Sequence, residues 1–96
     1  MRPSQALPNH RDSIRQLVSE AGMSNLRVFG SVLRGEDTEN SDLDLLVDPA
    51  PRTDLLDLAR LQRLIQAKLG VRVDLLTPGD LPPKFRDQVV AEALPV

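Results

Sequence analysis

Phe29-Gly30-Ser31-Val32-Leu33-Arg34-Gly35-Glu36, followed by Ser41-Asp42-Leu43-Asp44-Leu45-Leu46-Val47, decides the fold. Leu26-Arg27-Val28-Phe29 is apolar and partly β-branched, which reads as a short strand that turns sharply at Gly30-Ser31. Val32-Leu33-Arg34 is the first turn of a short helix, closed by Gly35. Residues 36–41 are polar and aperiodic, so they read as a loop. Asp42 to Asp48 reads as the second strand. A period of two sends Asp42, Asp44 and Leu46 to one face and Leu43, Leu45 and Val47 to the other.

Working downstream, Pro49 to Arg52 is a linker and Thr53 a plausible N-cap. Leu55, Leu58, Ala59, Leu61, Ile65 and Leu69 form a broad apolar stripe, which predicts a helix over 54–69 ended by Gly70. Residues 71–77 predict a third strand, with Val71, Val73 and Leu75 on one face and Asp74 on the other. Pro78-Gly79 is a turn. Pro82 and Pro83 suit a helix start, and Phe85, Val89, Val90 and Ala93 continue as a terminal helical stripe. Upstream, residues 1–8 hold two prolines and read as a loose N-terminal arm. Asn9 reads as the N-cap of an amphipathic helix over 10–21, built on Ile14, Leu17, Val18 and Ala21 and stopped at Gly22. The order α-β-α-β-α-β-α predicts one mixed α/β domain over 1–96.

Composition narrows the chemistry. At 96 residues and 10.6 kDa, a single core is expected, with no mass for a separate substrate domain. A net charge of -2 argues against general nucleic-acid binding, which needs a basic face. With no cysteine, a disulfide framework, a thiolate zinc site and a thiol nucleophile are excluded. His10 is the only histidine, so no site can use two imidazoles. Phe29 and Phe85 are the only aromatics, too few for a base-stacking platform. No apolar run approaches the ~20 residues of a membrane span, and the N-terminus lacks a secretory signature, so a cytoplasmic location is expected.

Three carboxylates carry the chemical reading. Asp42 and Asp44 share a strand face, and Asp74 on the next strand can join them. Oxygen donors grouped in this way suit a hard divalent cation such as Mg²⁺. Without a cation, like charges raise one another's pKa. Gly30 lets the backbone approach a ligand closely, Ser31 adds a hydroxyl donor, and the helix start after it favours a phosphate. Arg34, three residues on, can pair with a phosphate oxygen. A phosphate cradle beside such carboxylates is what nucleotidyl transfer requires.

Gly30-Ser31, ten intervening residues and then Asp42-Leu43-Asp44 resemble the signature of the DNA polymerase β superfamily of nucleotidyltransferases. The longer runs resemble its minimal branch, whose members are about this long and often act as antitoxins to HEPN-type ribonuclease toxins. The resemblance is strong over residues 26–77 and extends to the flanks by general layout. It implies a mixed sheet of about three strands flanked by helices. It also implies that Asp42 and Asp44 ligate two Mg²⁺ ions and that Asp74 is the third carboxylate, helping to activate the acceptor hydroxyl. Gly30 and Ser31 would contact the triphosphate, with Arg34 serving phosphate or acceptor. Two departures stand out: Val32 and Leu33 are bulkier than the branch's usual residues, and the chain ends without its aromatic ending.

The expected activity is transfer of AMP from ATP to a tyrosine hydroxyl of a cognate HEPN toxin. The alternative is an antitoxin that neutralises its partner by surface binding alone, with its acidic face against a basic groove. Glu36, Asp37 and Glu39 are expected to form a solvated acidic loop, and the alternative to a catalytic Asp74 is an exposed ion-pair partner of Arg72 or another cation.

Overall fold

A computed structural model describes residues 1–96. Five α-helices span Pro3–Ala6 (α1), Arg11–Glu20 (α2), Gly30–Leu33 (α3), Leu55–Leu69 (α4) and Pro83–Glu92 (α5). Four strands span Ser24–Phe29 (β1), Leu43–Asp48 (β2), Val73–Leu76 (β3) and Leu94–Pro95 (β4). Single 3₁₀ turns lie at Pro8–His10 and Pro78–Asp80. The strands form one mixed sheet in the order β3-β2-β1-β4. β1 and β2 are antiparallel, as are β1 and β4, whereas β2 and β3 are parallel. Parallel neighbours need a crossover connection, and α4 supplies it.

The two sides of β2 explain the layering. Leu43, Leu45 and Val47 are fully buried and pack with Ile14 and Val18 of α2, Leu61, Ile65 and Leu69 of α4, and Val73 and Leu75 of β3. The 3.6-residue stripes of α2 and α4 thus meet the period-two face of the sheet. The opposite face is not uniformly open. Leu46, on the same side of the strand as the aspartates, is also fully buried. Arg27 is buried too. Its guanidinium meets Asp48 at 2.5 Å and donates from Nε to the Asn25 carbonyl at 3.0 Å, so the buried charge is paired.

α4 begins one residue later than its stripe suggests. Its N-cap is Asp54, not Thr53. Asp54 accepts from the Asp57 amide, Asp57 accepts from the Asp54 amide, and Thr53 Oγ1 instead accepts from the Ala50 amide. Gly70 ends α4 at φ 71°, as expected of a left-handed stop.

Residues 1–8 are not a loose arm. Pro3 occupies the first position of α1, where its missing N–H costs nothing, and Pro3, Ala6 and Leu7 are buried. Asp37 anchors this segment by accepting the Ser4 amide at 2.9 Å. That bond holds the Asp37 carboxyl below its ordinary pKa and removes the residue from the solvated loop expected of it. Asn9 belongs to the 3₁₀ turn, and His10 holds the N-cap position of α2 without a side-chain cap. The sheet also gains β4, two residues long and paired with Arg27 and Val28 of β1. It brings the C-terminal Val96 into the core.

Candidate active site

Strand register assembles the site. Phe29 is paired with Asp44 across β1 and β2, and Asp44 is paired with Asp74 across β2 and β3. Asp44 therefore stands centrally, between the Gly30 turn and the third carboxylate. Residues level in parallel strands project to the same face, so Asp44 and Asp74 point together.

At Gly30 the backbone takes φ 74°, and the turn lies directly against Asp44. A Cβ at this position would overlap Asp44 Oδ2 and stand only 3.0 Å from its Cγ. Both constraints demand glycine. Gly30 opens α3 behind the Phe29 N-cap and Ser31 follows it, so both lie in the first turn, whose leading N–H groups have no intrahelical partners. Arg34 caps the far end of α3 and is exposed, with Nε 3.1 Å from Glu36 Oε2. Gly30 and Arg34 also line a cleft of about 230 Å³, together with Phe29, Leu33, Val89 and Glu92.

Electrostatics single out Asp44. Its pKa is raised to about 6, first by partial burial, then by the charges of Asp74 and Asp42, and Arg34 partly offsets the rise. Asp44 therefore lies within the fields of both other aspartates. The three do not form a closed ligand set: no three Asp, Glu or His side chains stand where they could hold a metal ion together. Asp42 is engaged by a cation of the protein's own. Its Oδ1 accepts from Arg72 Nε at 3.0 Å, while Arg72 Nη2 donates to the Asn40 carbonyl at 2.7 Å. The oxygen-donor chemistry of Asp42, Asp44 and Asp74 fits a hard cation.

Arg72 pairs with Asp42, so the alternative of Asp74 as its ion-pair partner is not what forms. The parallel register of β2 and β3 makes the pair. Once Asp44 is set level with Asp74, the same offset sets Asp42 level with Arg72.

The raised pKa has a testable consequence. An acid whose folded pKa exceeds its unfolded value of about 3.8 opposes folding when ionised. Its favourable contribution is complete below about pH 3.8 and is lost as the pH rises through about 6. In EDTA, the melting temperature of the wild type relative to Asp44→Asn should therefore rise between pH 7.5 and pH 4.5. The gain should be about 1 to 2 kcal/mol, allowing for solvent screening of a half-exposed carboxyl. A flat difference across that range would refute the shift.

Comparison with known proteins bears on the chemistry. The nucleotidyltransferase domain family matches residues 7–96. The protein adenylyltransferase MntA of Thermococcus cleftensis is 36% identical over 88 residues, covering 92% of this chain and 86% of that protein. A solved structure described as a minimal nucleotidyltransferase superposes with a TM-score of 0.86 at 44% identity, covering 97% of this chain and 95% of the other. A toxin–antitoxin crystal structure with AMP-PNP superposes at 0.74 with 24% identity, over 88% of this chain and 69% of the other, which shows a shared fold.

Proposed function

The chain belongs to the nucleotidyltransferase domain family, and from that membership we propose that it transfers AMP from ATP to a hydroxyl group of a partner protein. The acceptor is a tyrosine of a cognate HEPN-type toxin, and its modification is the antitoxin act. The observation that carries this reading is the position of Asp44, level with Asp74 and packed against the Gly30 turn.

Each residue has a defined task. Gly30 and Ser31 receive the triphosphate at the start of α3, and Arg34 balances its charge. Asp44 and Asp74, with Asp42, supply oxygen ligands for Mg²⁺, two ions in the full set. Bound magnesium would lower the pKa of the attacking hydroxyl and stabilise the departing pyrophosphate. Asp74 is exposed at its strand position and accepts the hydroxyl proton. The tyrosine oxygen forms a bond to the α-phosphorus as the bond from that phosphorus to pyrophosphate breaks.

The test uses the purified protein, the product of the neighbouring gene and ATP labelled at the α-phosphate. The partner should gain label and AMP mass, and should gain none from ATP labelled at the γ-phosphate. A partner of unchanged mass after long incubation would rule the proposal out. One observation favours the surface-binding alternative: Asp42 is held by Arg72, apart from a metal-ready set. Under that alternative, an Asp42→Asn, Asp44→Asn double variant still protects a cell from the toxin. Under the catalytic reading it does not.

A further inference from the structure

Arg72 opens the approach to β3, where its carbonyl accepts the Leu43 amide at 2.9 Å. That bond fixes its backbone beside the entry to β2. Its guanidinium then reaches in two directions, with Nε to Asp42 Oδ1 and Nη2 to the Asn40 carbonyl. Both contacts are on the segment that delivers Asp42 into the strand. Arg72 is therefore placed to determine where the Asp42 carboxylate points.

We infer that Arg72 is a displaceable counter-ion that occupies Asp42 and must release it before Asp42 can join Asp44 and Asp74 around a divalent cation. The inference rests on the nucleotidyltransferase reading of the three carboxylates. In that reading Arg72 is a positioning residue acting through Asp42. The pair suits such a role because it is weak enough to open. The Arg72 side chain is 70% exposed and that of Asp42 50%, so water screens the attraction and can replace either partner. The site is thereby built to trade one positive charge for another. A cation competes with the guanidinium for one carboxylate, and the guanidinium also repels a cation nearby.

Removing the competitor should tighten cation binding. Mn²⁺ is titrated into the nucleotide-free protein, with bound Mn²⁺ read from water-proton relaxation. Arg72→Gln should bind Mn²⁺ about three- to tenfold more tightly than the wild type, the scale set by an exposed ion pair plus screened repulsion at a few ångströms. Arg72→Lys retains the charge and should stay within about twofold of the wild type. In the transfer assay, Arg72→Gln should lower the metal concentration for half-maximal rate and leave kcat within about twofold. A purely structural role would lower the melting temperature of the Gln variant without tightening its Mn²⁺ binding.

Equal or weaker Mn²⁺ binding by Arg72→Gln would overturn the inference, because the guanidinium would then orient Asp42 for the metal or merely fasten the loop. Asp44→Asn separates this failure from a failure of the reading beneath it. If Asp44→Asn abolishes Mn²⁺ binding while Arg72→Gln leaves it unchanged, the carboxylate site stands and the counter-ion role falls. If Asp44→Asn binds Mn²⁺ as well as the wild type, the carboxylate site itself is wrong and both fall.

Discussion

Asp44→Asn should cut AMP transfer by about 10²- to 10⁴-fold, the scale of losing several kcal/mol of transition-state stabilisation. The same variant should melt at or above the wild-type temperature at pH 7.5 in EDTA. The two effects have one cause. Asp44 is half-buried, and its charge is opposed by Asp74 and Asp42, which is why its pKa climbs to about 6. Asparagine keeps the shape and removes that repulsion. The charge that costs stability in the free protein is the charge that the proposed chemistry needs, a trade expected where a site is organised for a ligand. Activity is read as label from α-labelled ATP on the partner, and stability as a thermal melt. A variant that melts several degrees lower and loses transfer in proportion would make Asp44 a structural residue. A variant that melts normally and transfers normally would remove the carboxylates from the reaction.

Asp44 was legible in the sequence because strand alternation fixes the face of a side chain without any tertiary information. The same alternation separates Asp74 from Val73 and Leu75, and the observed burial follows it. α4 was equally plain, because a fifteen-residue stripe with a glycine stop leaves little choice of period. The errors fall where local chemistry is silent or shared. Two prolines near the N-terminus look like an unstructured arm, yet one of them starts α1, and only the long-range bond from Ser4 to Asp37 shows why the segment is packed. β4 has two residues, too few for any period to appear, and exists because β1 offers it an edge. Leu46 lies on the aspartates' side, as the period of two requires, and is fully buried there, because that side is open only in part. The Arg72–Asp42 pair depends on the parallel register of β2 and β3, which pattern within either strand cannot supply.

Gly30→Ala should be the most damaging single-methyl change in the chain, and comparison with Gly35→Ala shows why. Both glycines have positive φ, 74° at Gly30 and 70° at Gly35, so each alanine carries a similar backbone penalty of about 1 to 2 kcal/mol. Their surroundings differ. A Cβ at Gly35 meets no atom within 4 Å, whereas one at Gly30 runs into the Asp44 carboxylate. The neighbour is a side chain and can move, so the protein survives by rotating Asp44 away, at a further cost of about 1 to 3 kcal/mol. That rotation removes the carboxylate from its place between the turn and Asp74. Misplacement on the order of 1 Å in a reacting constellation costs about 10²-fold in rate. Gly30→Ala should therefore lose about 100-fold or more of transfer activity, and Gly35→Ala no more than a few-fold. Measured in EDTA, the stability gap between the two variants should shrink when Asp44 is also replaced by alanine, since the colliding carboxylate is then gone. A gap that survived that replacement would mean that Gly30 is required for the turn alone, and that its contact with Asp44 plays no part in holding the site together.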